Sequence, residues 1–352
     1  MRIAQVAPLY ESVPPALYGG TERVVSYLTE ALVQAGHDVT LFATGDSITS
    51  ARLVSTTPRA LRLDPRCIDQ MAHHVVMLEQ VFRESGTFDV VHFHLDYMHY
   101  PLSRRARLAH VTTLHGRLDI PDLAPLYDEY RDMPVVSISN AQRMPLPDAN
   151  WVGTVYHGLP EDLYRYQAEP GKYFAFIGRI SPEKRVDRAI RIALKAEVPL
   201  LIAAKVDKVD REYFDTVVTP LLRSSLIEYI GEVGDVEKGA LLGGAAALLF
   251  PIAWPEPFGL VMIEAMACGT PTIAYRCGSV PEVMEHGRTG FIVDTLGEAQ
   301  SAAQVIESVP RAGCRAVFEE RFTATRMARD YVEVFDDVLT ARNGPTIEVR
   351  SA

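Results

Sequence analysis

The chain has 352 residues, which predicts two domains because single hydrophobic cores rarely grow beyond roughly 250 to 300 residues. Its composition, 48% hydrophobic and 23% charged, is typical of a soluble globular protein and excludes a disordered chain. A formal net charge of −10 argues against nucleic acid as the main partner, since phosphate backbones are bound by surplus Lys and Arg.

Short, apolar, β-rich runs alternate with segments of helical periodicity, which is the pattern of parallel sheets with crossover helices. In the first half we predict strands over 3–7, 39–44, 90–94, 111–115 and 135–139, and helices over 22–35 and 69–84. In the second half we predict strands over 174–178, 200–204, 228–231, 247–251, 272–275 and 291–293, and helices over 184–195, 211–222, 236–242 and 260–266.

The alternation stops near His157, and a polar, acidic stretch containing Pro170 and Gly171 follows. We therefore predict a first Rossmann-like domain over 1–160, a second over 161–324, and a C-terminal segment over 325–352 that begins with a helix over 325–339. Two consecutive doubly wound domains predict a central cleft, with ligands bound beyond the carboxyl ends of the strands.

Several classes of protein lack support in the sequence. No G-x-G-x-x-G follows the first strand and no G-x-x-x-x-G-K-[ST] occurs, which argues against a nicotinamide-linked dehydrogenase and a P-loop enzyme. The four cysteines have no C-x-x-C or His/Cys ligand spacing, so we expect reduced thiols, no metal and a cytoplasmic location. Without a signal peptide or a membrane-spanning apolar run, we expect at most weak peripheral membrane contact. Arg104, Arg105 and Arg107 could supply it, or form a solvated turn.

Two carboxylates are isolated in the mostly apolar stretch 239–275, and both need a reason. The prolines on both sides of Glu256 predict a loop, and Glu264 lies one to two turns into the helix that follows. The amides of Phe258, Gly259 and Leu260 at the start of this helix form an anion site. Either glutamate alone could be an ordinary solvated residue. Together they predict a ligand with phosphate in its middle and hydroxyls at both ends, such as a sugar nucleotide.

Loops at the predicted strand ends supply further candidates. Gly19 and Gly20, after Tyr18 and before a helix that we expect Thr21 to cap, would let backbone approach a bulky anion. They could also form a simple turn. Arg179 and Lys184 can reach an anion from the end of a strand and the start of a helix, although a solvated basic turn is the alternative.

Polar residues also follow strands of the first domain. His115 closes a predicted strand and lies at the rim of the cleft, and His94 ends the neighbouring strand. We expect His94, Arg117 and Asn140 to be candidates for contact with an acceptor, a second substrate that would receive a transferred group. Asp207 and Asp210 are the nearest approach to a metal-chelating acidic pair, yet lysines flank them and their spacing is unsuitable, so no divalent cation is required.

The stretch EPFGLVMIE from Glu256 to Glu264, with the sequel as far as Asp294, resembles the E-x7-E signature of retaining glycosyltransferases of family 4. This resemblance implies an α/β GT-B fold, in which the first domain binds the acceptor and the second binds the donor. It also implies that the last helix crosses back to the first domain.

The resemblance implies roles for individual residues. Glu256 would contact donor-sugar hydroxyls, and Glu264 would hold the ribose. Gly19, Gly20, Arg179 and Lys184 would lie at the donor phosphates, His115 near the reacting sugar, and Val233 near the base. The catalytic set is thus His115, Arg179, Lys184 and Glu256, and Phe258, Gly259 and Leu260 complete the donor site.

The predicted activity is a retaining, metal-independent hexosyltransferase with no cofactor. It would use a UDP- or GDP-sugar and a sugar, lipid or small-molecule acceptor. The alternatives are a nucleotide-sugar epimerase or glycosyl phosphorylase on the same fold, and a non-catalytic sugar-nucleotide-binding protein.

Overall fold

The structure is a computed structural model that describes residues 1–16 and 19–343. Tyr18 and the end of the predicted C-terminal segment, residues 344–352, lie outside the described residues. The chain divides into two compact units. Unit 1 contains residues 1–138, 145–155 and the segment from Thr325 onwards, whereas unit 2 contains Ser139–Met144 and Tyr156–Ala324.

Unit 1 has a seven-stranded parallel sheet in the order β3-β2-β1-β4-β5-β6-β7. Its strands are β1 (Arg2–Val6), β2 (Asp38–Phe42), β3 (Arg52–Val54), β4 (Val90–Phe93), β5 (His110–Thr113), β6 (Val135–Ser137) and β7 (Trp151–Thr154). The central strands β4 and β5 are buried along their whole length, as expected where helices cover both faces of a parallel sheet.

Unit 2 has a six-stranded parallel sheet in the order β10-β9-β8-β11-β12-β13. Its strands are β8 (Phe174–Arg179), β9 (Leu200–Lys205), β10 (Ile227–Gly231), β11 (Ala247–Phe250), β12 (Thr272–Tyr275) and β13 (Gly290–Val293). Phe174, Ile190, Ile202, Leu249 and Ile273 belong to one buried apolar core between this sheet and its helices.

The helices complete both units. In chain order they are α1 (Gly20–Gln34), α2 (Gln70–Glu84), α3 (Tyr100–Ala106), α4 (Leu123–Glu129), α5 (Asn140–Arg143), α6 (Val186–Ala196), α7 (Arg211–Tyr213), α8 (Asp235–Gly243), α9 (Leu260–Cys268), α10 (Val280–Val283), α11 (Leu296–Val305), α12 (Arg311–Arg321) and α13 (Ala324–Asn343). The last helix, α13, belongs to unit 1 from Thr325, and the Tyr331 hydroxyl lies 2.8 Å from that of Thr113 on β5.

Two predictions at helices are wrong. Thr21 does not cap α1, because the helix already begins at Gly20 and its N-cap residue is Gly19, which has no side chain to accept a bond. The helix predicted over 211–222 is short, since α7 changes to a π-helical turn over Phe214–Val218 and a 3-10 turn over Thr219–Arg223. Pro220 explains this change, because proline has no amide hydrogen and prevents a regular α-helix from continuing through it.

Candidate active site

The loop before α9 positions Glu256 through its backbone. The Glu256 amide donates to the Trp254 carbonyl at 2.8 Å, and the Ser279 amide donates to the Glu256 carbonyl at 3.0 Å. Gly278 lies against the backbone of Glu256 with φ of 54°, and a Cβ there would be 2.4 Å from both the backbone nitrogen and the carbonyl oxygen of Glu256. Only glycine therefore fits beside this loop, a constraint that the sequence did not reveal.

Lys184 forms an ion pair with Glu256. The two side chains are only 18% and 13% exposed, so the pair is largely removed from water. The Lys184 ammonium also lies 5.2 Å from the ring centre of Trp254 and 5.7 Å from that of Phe250, within reach of favourable cation–π contact. The structure thus joins two residues that the sequence assigned to separate motifs.

Arg179 ends β8 and is surrounded by carboxylates. It donates to Glu183 at 2.6 Å, and ion-pair distances to Asp210 and Asp207 are 3.6 and 3.9 Å. Its Nε has no hydrogen-bond partner among the described residues. Burial raises the pKa of Asp210. The sequence predicted Arg179 as a cation directed at an anion, but did not reveal that three acidic residues share it.

The N-terminus of α9 has the geometry of an anion site. Gly259 is its N-cap with φ of 78°, and no side chain accepts from the first amides of the helix. A Cβ on Gly259 would lie 2.9 Å from Met262 Cε and 3.1 Å from Phe250 Cζ. Phe258 is buried, and its carbonyl accepts a 2.8 Å bond from Ser279 Oγ. The amide of Leu260, the first helical residue, therefore belongs to a turn that neighbouring residues hold in place.

Glu264 lies on α9 and is only 3% exposed. Its Oε1 accepts a 2.8 Å bond from Lys238, and the Tyr164 hydroxyl lies 3.5 Å from the same oxygen. Lys238 also lies 3.4 Å from Asp235. Glu264 Oε2 has no hydrogen-bond partner among the described residues, so this oxygen can accept from a ligand. Sequence reasoning missed Lys238 and Tyr164, which are far from Glu264 along the chain.

Val233 lies in the loop between β10 and α8. It is partly buried and packs against an apolar cluster that includes Ala175, Ala203 and Leu241. Gly231, two residues before it, has φ of 79°, a conformation that favours glycine and turns the chain at the strand end. The predicted base-binding segment is therefore anchored by packing.

In unit 1, the structure brings together His94 and His115. His94 Nδ1 lies 2.8 Å from His115 Nε2, and His94 Nε2 lies 2.8 Å from Gln5 Oε1. Burial lowers the pKa of His115 to about 3, so this imidazole is neutral at physiological pH. The sequence placed both histidines at strand ends but missed Gln5.

Family models match both halves of the chain. The model described as Glycosyltransferase Family 4 matches residues 18–174, and the model described as Glycosyl transferases group 1 matches residues 165–313. The chain belongs to glycosyltransferase family 4. It is therefore an enzyme of the hexosyltransferase class, as the sequence predicted.

A curated relative and solved structures agree with this assignment. The family 4 chain is 28% identical over 306 residues to N-acetyl-alpha-D-glucosaminyl L-malate synthase of Bacillus anthracis, which covers 75% of this chain and 78% of the relative. A glycosyltransferase involved in avilamycin A biosynthesis superimposes with a TM-score of 0.75 at 25% identity, covering 97% and 98% of the two chains.

A more distant structure shares the fold. An Anabaena protein solved with UDP and glucose has a TM-score of 0.72 at 17% identity, and the match covers 96% of this chain and 100% of that protein. These superpositions, together with the two parallel-sheet α/β units, confirm the predicted GT-B fold of this family 4 glycosyltransferase.

Gly19, Gly20 and Arg117 of the glycosyltransferase lie in loops or at helix starts of unit 1. A Cβ on Gly19 would come within 2.8 Å of Pro15 Cβ, so close packing requires glycine there. Gly20 is the first residue of α1. Arg117 follows β5 and pairs with Asp119 at 2.7 Å. The described residues thus show how these loops are held, and the assigned contacts with ligand stay predictions.

Asn140 belongs to unit 2, although the sequence placed it in the first domain. Its backbone amide donates to Glu282 Oε2 at 2.7 Å, and its side-chain nitrogen Nδ2 lies 3.4 Å from the Tyr156 hydroxyl. The Ala141 amide donates to the other oxygen of Glu282 at 2.6 Å. The Glu282 carboxylate therefore accepts from the first two amides of the short helix α5. This contact is favourable, because the N-terminus of a helix attracts negative charge.

Asp96 is a polar residue after β4 that was not predicted as a site residue from the sequence. It has φ of 48°, which is uncommon for a residue other than glycine. Its side chain keeps exposed surface, yet the surrounding protein limits its hydration and raises its pKa to about 6. A carboxylate perturbed in this way, two residues after His94, is a further candidate for contact with substrate.

The described residues also bear on metal and membrane contact. They contain no group of three or more His, Cys, Asp or Glu residues arranged to hold a metal ion. None of their helices combines the length and hydropathy that a membrane span needs. Arg104 pairs with Glu129 at 2.7 Å and with Asp132, so acidic neighbours already compensate its charge.

Proposed function

We propose that this glycosyltransferase transfers a hexose from a UDP- or GDP-sugar to an acceptor hydroxyl, with retention of configuration and without a metal. Unit 2 binds the donor and unit 1 binds the acceptor. The observation that carries this proposal is the arrangement around α9. Glu256 precedes the first turn of this helix, whose amides suit a phosphate, and the open oxygen of Glu264 follows it.

The donor chemistry follows from this order of groups. The Oε2 atom of Glu264 is suited to a ribose hydroxyl, because the opposite oxygen is already held by Lys238. Glu256 is suited to hydroxyls of the sugar. The Anabaena protein of the same fold was solved with UDP and glucose, which supports a nucleotide-sugar donor. The B. anthracis relative is named for an N-acetylglucosaminyl product, which supports a hexosyl group.

The cations of unit 2 would stabilise the leaving group. As the bond from the anomeric carbon to the β-phosphate oxygen breaks, negative charge grows on the diphosphate, and Arg179 and Lys184 stabilise it. The diphosphate competes with Glu256 for the Lys184 ammonium and releases this carboxylate toward the sugar. The acceptor oxygen bonds to the anomeric carbon from the same face, and its proton passes to the leaving phosphate oxygen. In this proposal, His115 contacts the donor sugar near the carbon that reacts.

The positive field of Arg179, Lys184 and the start of α9 replaces the divalent cation that other sugar-nucleotide enzymes use. The four cysteines are unpaired, which supports the proposed cytoplasmic location.

A ligand screen followed by product analysis tests the function. Thermal shift with UDP, GDP, ADP and their sugars identifies the nucleotide, since a ligand at 100 times its Kd stabilises the fold by about 2.7 kcal/mol. Turnover with the selected sugar nucleotide should then release the free diphosphate, and NMR should show the donor's anomeric configuration in the product. An epimerised sugar nucleotide without diphosphate release, or an inverted product, would contradict the proposal.

A further inference from the structure

Arg179 is the last residue of β8, and a different carboxylate lies near each nitrogen of its guanidinium group. The Nη2 atom donates to Glu183 at 2.6 Å, whereas Nε lies 3.6 Å from Asp210 Oδ2 and Nη1 lies 3.9 Å from Asp207 Oδ2. Only the first distance is that of a hydrogen bond, since an N–H donor lies about 2.7 to 3.2 Å from its oxygen acceptor. Glu183 therefore holds one terminal nitrogen, and the other two nitrogens lie close to carboxylates without bonding to them.

The contact between Arg179 and Asp210 is incomplete on both sides. Arg179 Nε and Asp210 Oδ2 are both shielded from water, and neither atom has a hydrogen-bond partner in the part of the chain that the structure describes. Buried polar atoms in folded proteins are bonded in the great majority of cases, so a donor and an acceptor left open side by side need an explanation. A shift of roughly half an ångström would bring the two atoms to hydrogen-bond distance.

Asp210 is held where it can make this bond. It ends the 3-10 turn Lys208–Asp210, which follows β9, the strand that pairs with β8. Its amide donates to the Asp207 carbonyl at 3.0 Å. The Asp210 side chain is only 12% exposed, whereas that of Glu183 is 30% exposed. Glu183 can therefore turn toward water at little cost, and Asp210 cannot.

A donor phosphate would compete with Glu183 for Arg179. Guanidinium groups bind phosphate oxygens through parallel N–H bonds, and the same bonds hold carboxylates. If phosphate takes the terminal nitrogens from the more exposed Glu183, the single hydrogen on Nε remains for the shielded Asp210. The small shift that completes the Nε contact would then accompany the exchange of Glu183 for phosphate.

We propose that Asp210 is a positioning residue, which accepts from Arg179 Nε and directs the terminal nitrogens toward a donor phosphate, while Glu183 competes with the phosphate for them. This inference rests on the proposed role of Arg179 at the donor phosphates. The two carboxylates then have opposite effects on phosphate binding, although both lie beside one arginine. Charge alone would give both effects the same sign, because removing either negative charge favours a nearby anion.

Titration calorimetry with the intact protein tests these opposite effects. UDP and GDP are compared with uridine and guanosine, so that the difference in affinity isolates the contribution of the phosphates. Asp210→Leu has a similar size but no acceptor, and it should weaken diphosphate binding by about tenfold or more while nucleoside binding stays constant. Asp210→Asn keeps an acceptor oxygen and should recover most of this loss. Glu183→Gln should tighten diphosphate binding by about threefold or more, because a neutral acceptor competes less strongly.

Two controls distinguish positioning from a structural role. Asp215→Leu is the matched control, because Asp215 is exposed in the π-helical turn Phe214–Val218 of the same segment, and it should leave diphosphate affinity unchanged. In an Arg179→Ala background, Asp210→Leu should weaken binding no further, because a positioning residue acts only through its arginine. A structural role for Asp210 would weaken binding equally in both backgrounds and would overturn the inference.

The outcomes separate this inference from the proposed function. If the wild type binds neither diphosphate, or if Arg179→Ala binds as tightly as the wild type, the proposed role of Arg179 is wrong and the inference falls with it. If Arg179→Ala weakens binding but Asp210→Leu does not, only the inference is overturned. If Asp210→Leu does not fold, Asp210→Ala takes its place, since alanine also lacks the acceptor.

Discussion

The Lys184 ammonium contacts the Glu256 carboxylate, joining the loop after β8 to the loop before α9. A largely buried ion pair adds little net stability, because desolvating both ions offsets much of their attraction. In the proposed function, a donor phosphate would take the lysine and release the glutamate for the sugar. The pair would then link phosphate binding to sugar binding in unit 2.

Removing either cation should reduce turnover without preventing folding. Deleting one preorganised donor to a developing anion costs about 10² to 10³ in rate. We expect Arg179→Ala and Lys184→Ala each to lose kcat on this scale in a diphosphate-release assay. Arg191→Ala is the matched control, because Arg191 is exposed on α6, and it should keep normal turnover. Near-normal turnover in both test variants would show that the loop after β8 is only a solvated basic turn.

Gly278 should be required for the position of Glu256. Alanine there would place a Cβ 2.4 Å from the Glu256 backbone and impose a strained φ of 54°, so the loop must move. We expect Gly278→Ala to lower kcat together with donor affinity. Gly287→Ala provides the control, because Gly287 has a similarly positive φ of 82° but no neighbour within 4 Å of its Cβ position. Equal losses of activity in both variants would show that backbone strain alone causes the effect.

Much of the fold can be predicted from the sequence, since parallel strands form apolar runs that stand out from helical periodicity. The strand over Thr272–Tyr275 has its predicted bounds. The short edge strands β3 and β7 were missed, because their residues are only partly buried and carry no comparable apolar signal.

The partners of the candidate site could not be predicted. Lys184 and Glu256 are 72 residues apart, and Lys238 and Glu264 are 26 apart, so only tertiary packing brings them together. Gly278 is likewise required by the backbone of Glu256, and local sequence does not show such a contact. Strand ends nevertheless identified His94 and His115, because the carboxyl ends of parallel strands lie on one edge of the sheet.

Acid should destabilise unit 1 below about pH 6.5, the usual histidine pKa. Burial lowers the pKa of six of its histidines, namely His37, His74, His92, His99, His110 and His115. As pH falls, these histidines bind protons in the unfolded chain at a pH at which they stay neutral in the folded state. The free energy of unfolding therefore falls as pH falls. Asp96 acts in the opposite direction, because its raised pKa lets the folded state bind a proton between about pH 6 and 4.

Denaturant unfolding at pH 7.5 and 5.5 measures this dependence. We expect lower stability at pH 5.5, and a steeper loss in Asp96→Asn because the opposing group is gone. The same variant should be more stable than the wild type at pH 7.5, where the ionised Asp96 is disfavoured. Equal stability at both pH values would contradict the histidine assignment.

Chelation should leave turnover almost unchanged. In the proposed function, Arg179, Lys184 and the amides at the start of α9 supply the positive charge that a divalent cation would otherwise provide. The diphosphate-release assay should therefore give the same rate in excess EDTA as in magnesium. Loss of most activity in EDTA, with recovery on adding magnesium or manganese, would refute metal independence.

The central claim is that Glu256 binds the donor sugar and Glu264 binds the ribose. Titration calorimetry tests it most directly. Each glutamate is changed to glutamine, and binding of the bare nucleoside diphosphate is compared with binding of the full sugar donor. Glu264→Gln should weaken both ligands, because the ribose contact is common to them. Glu256→Gln should leave the bare diphosphate bound at least as tightly and weaken only the contribution of the sugar. A variant pair in which Glu256→Gln loses the diphosphate while Glu264→Gln retains it would show that the donor lies in the opposite direction along α9.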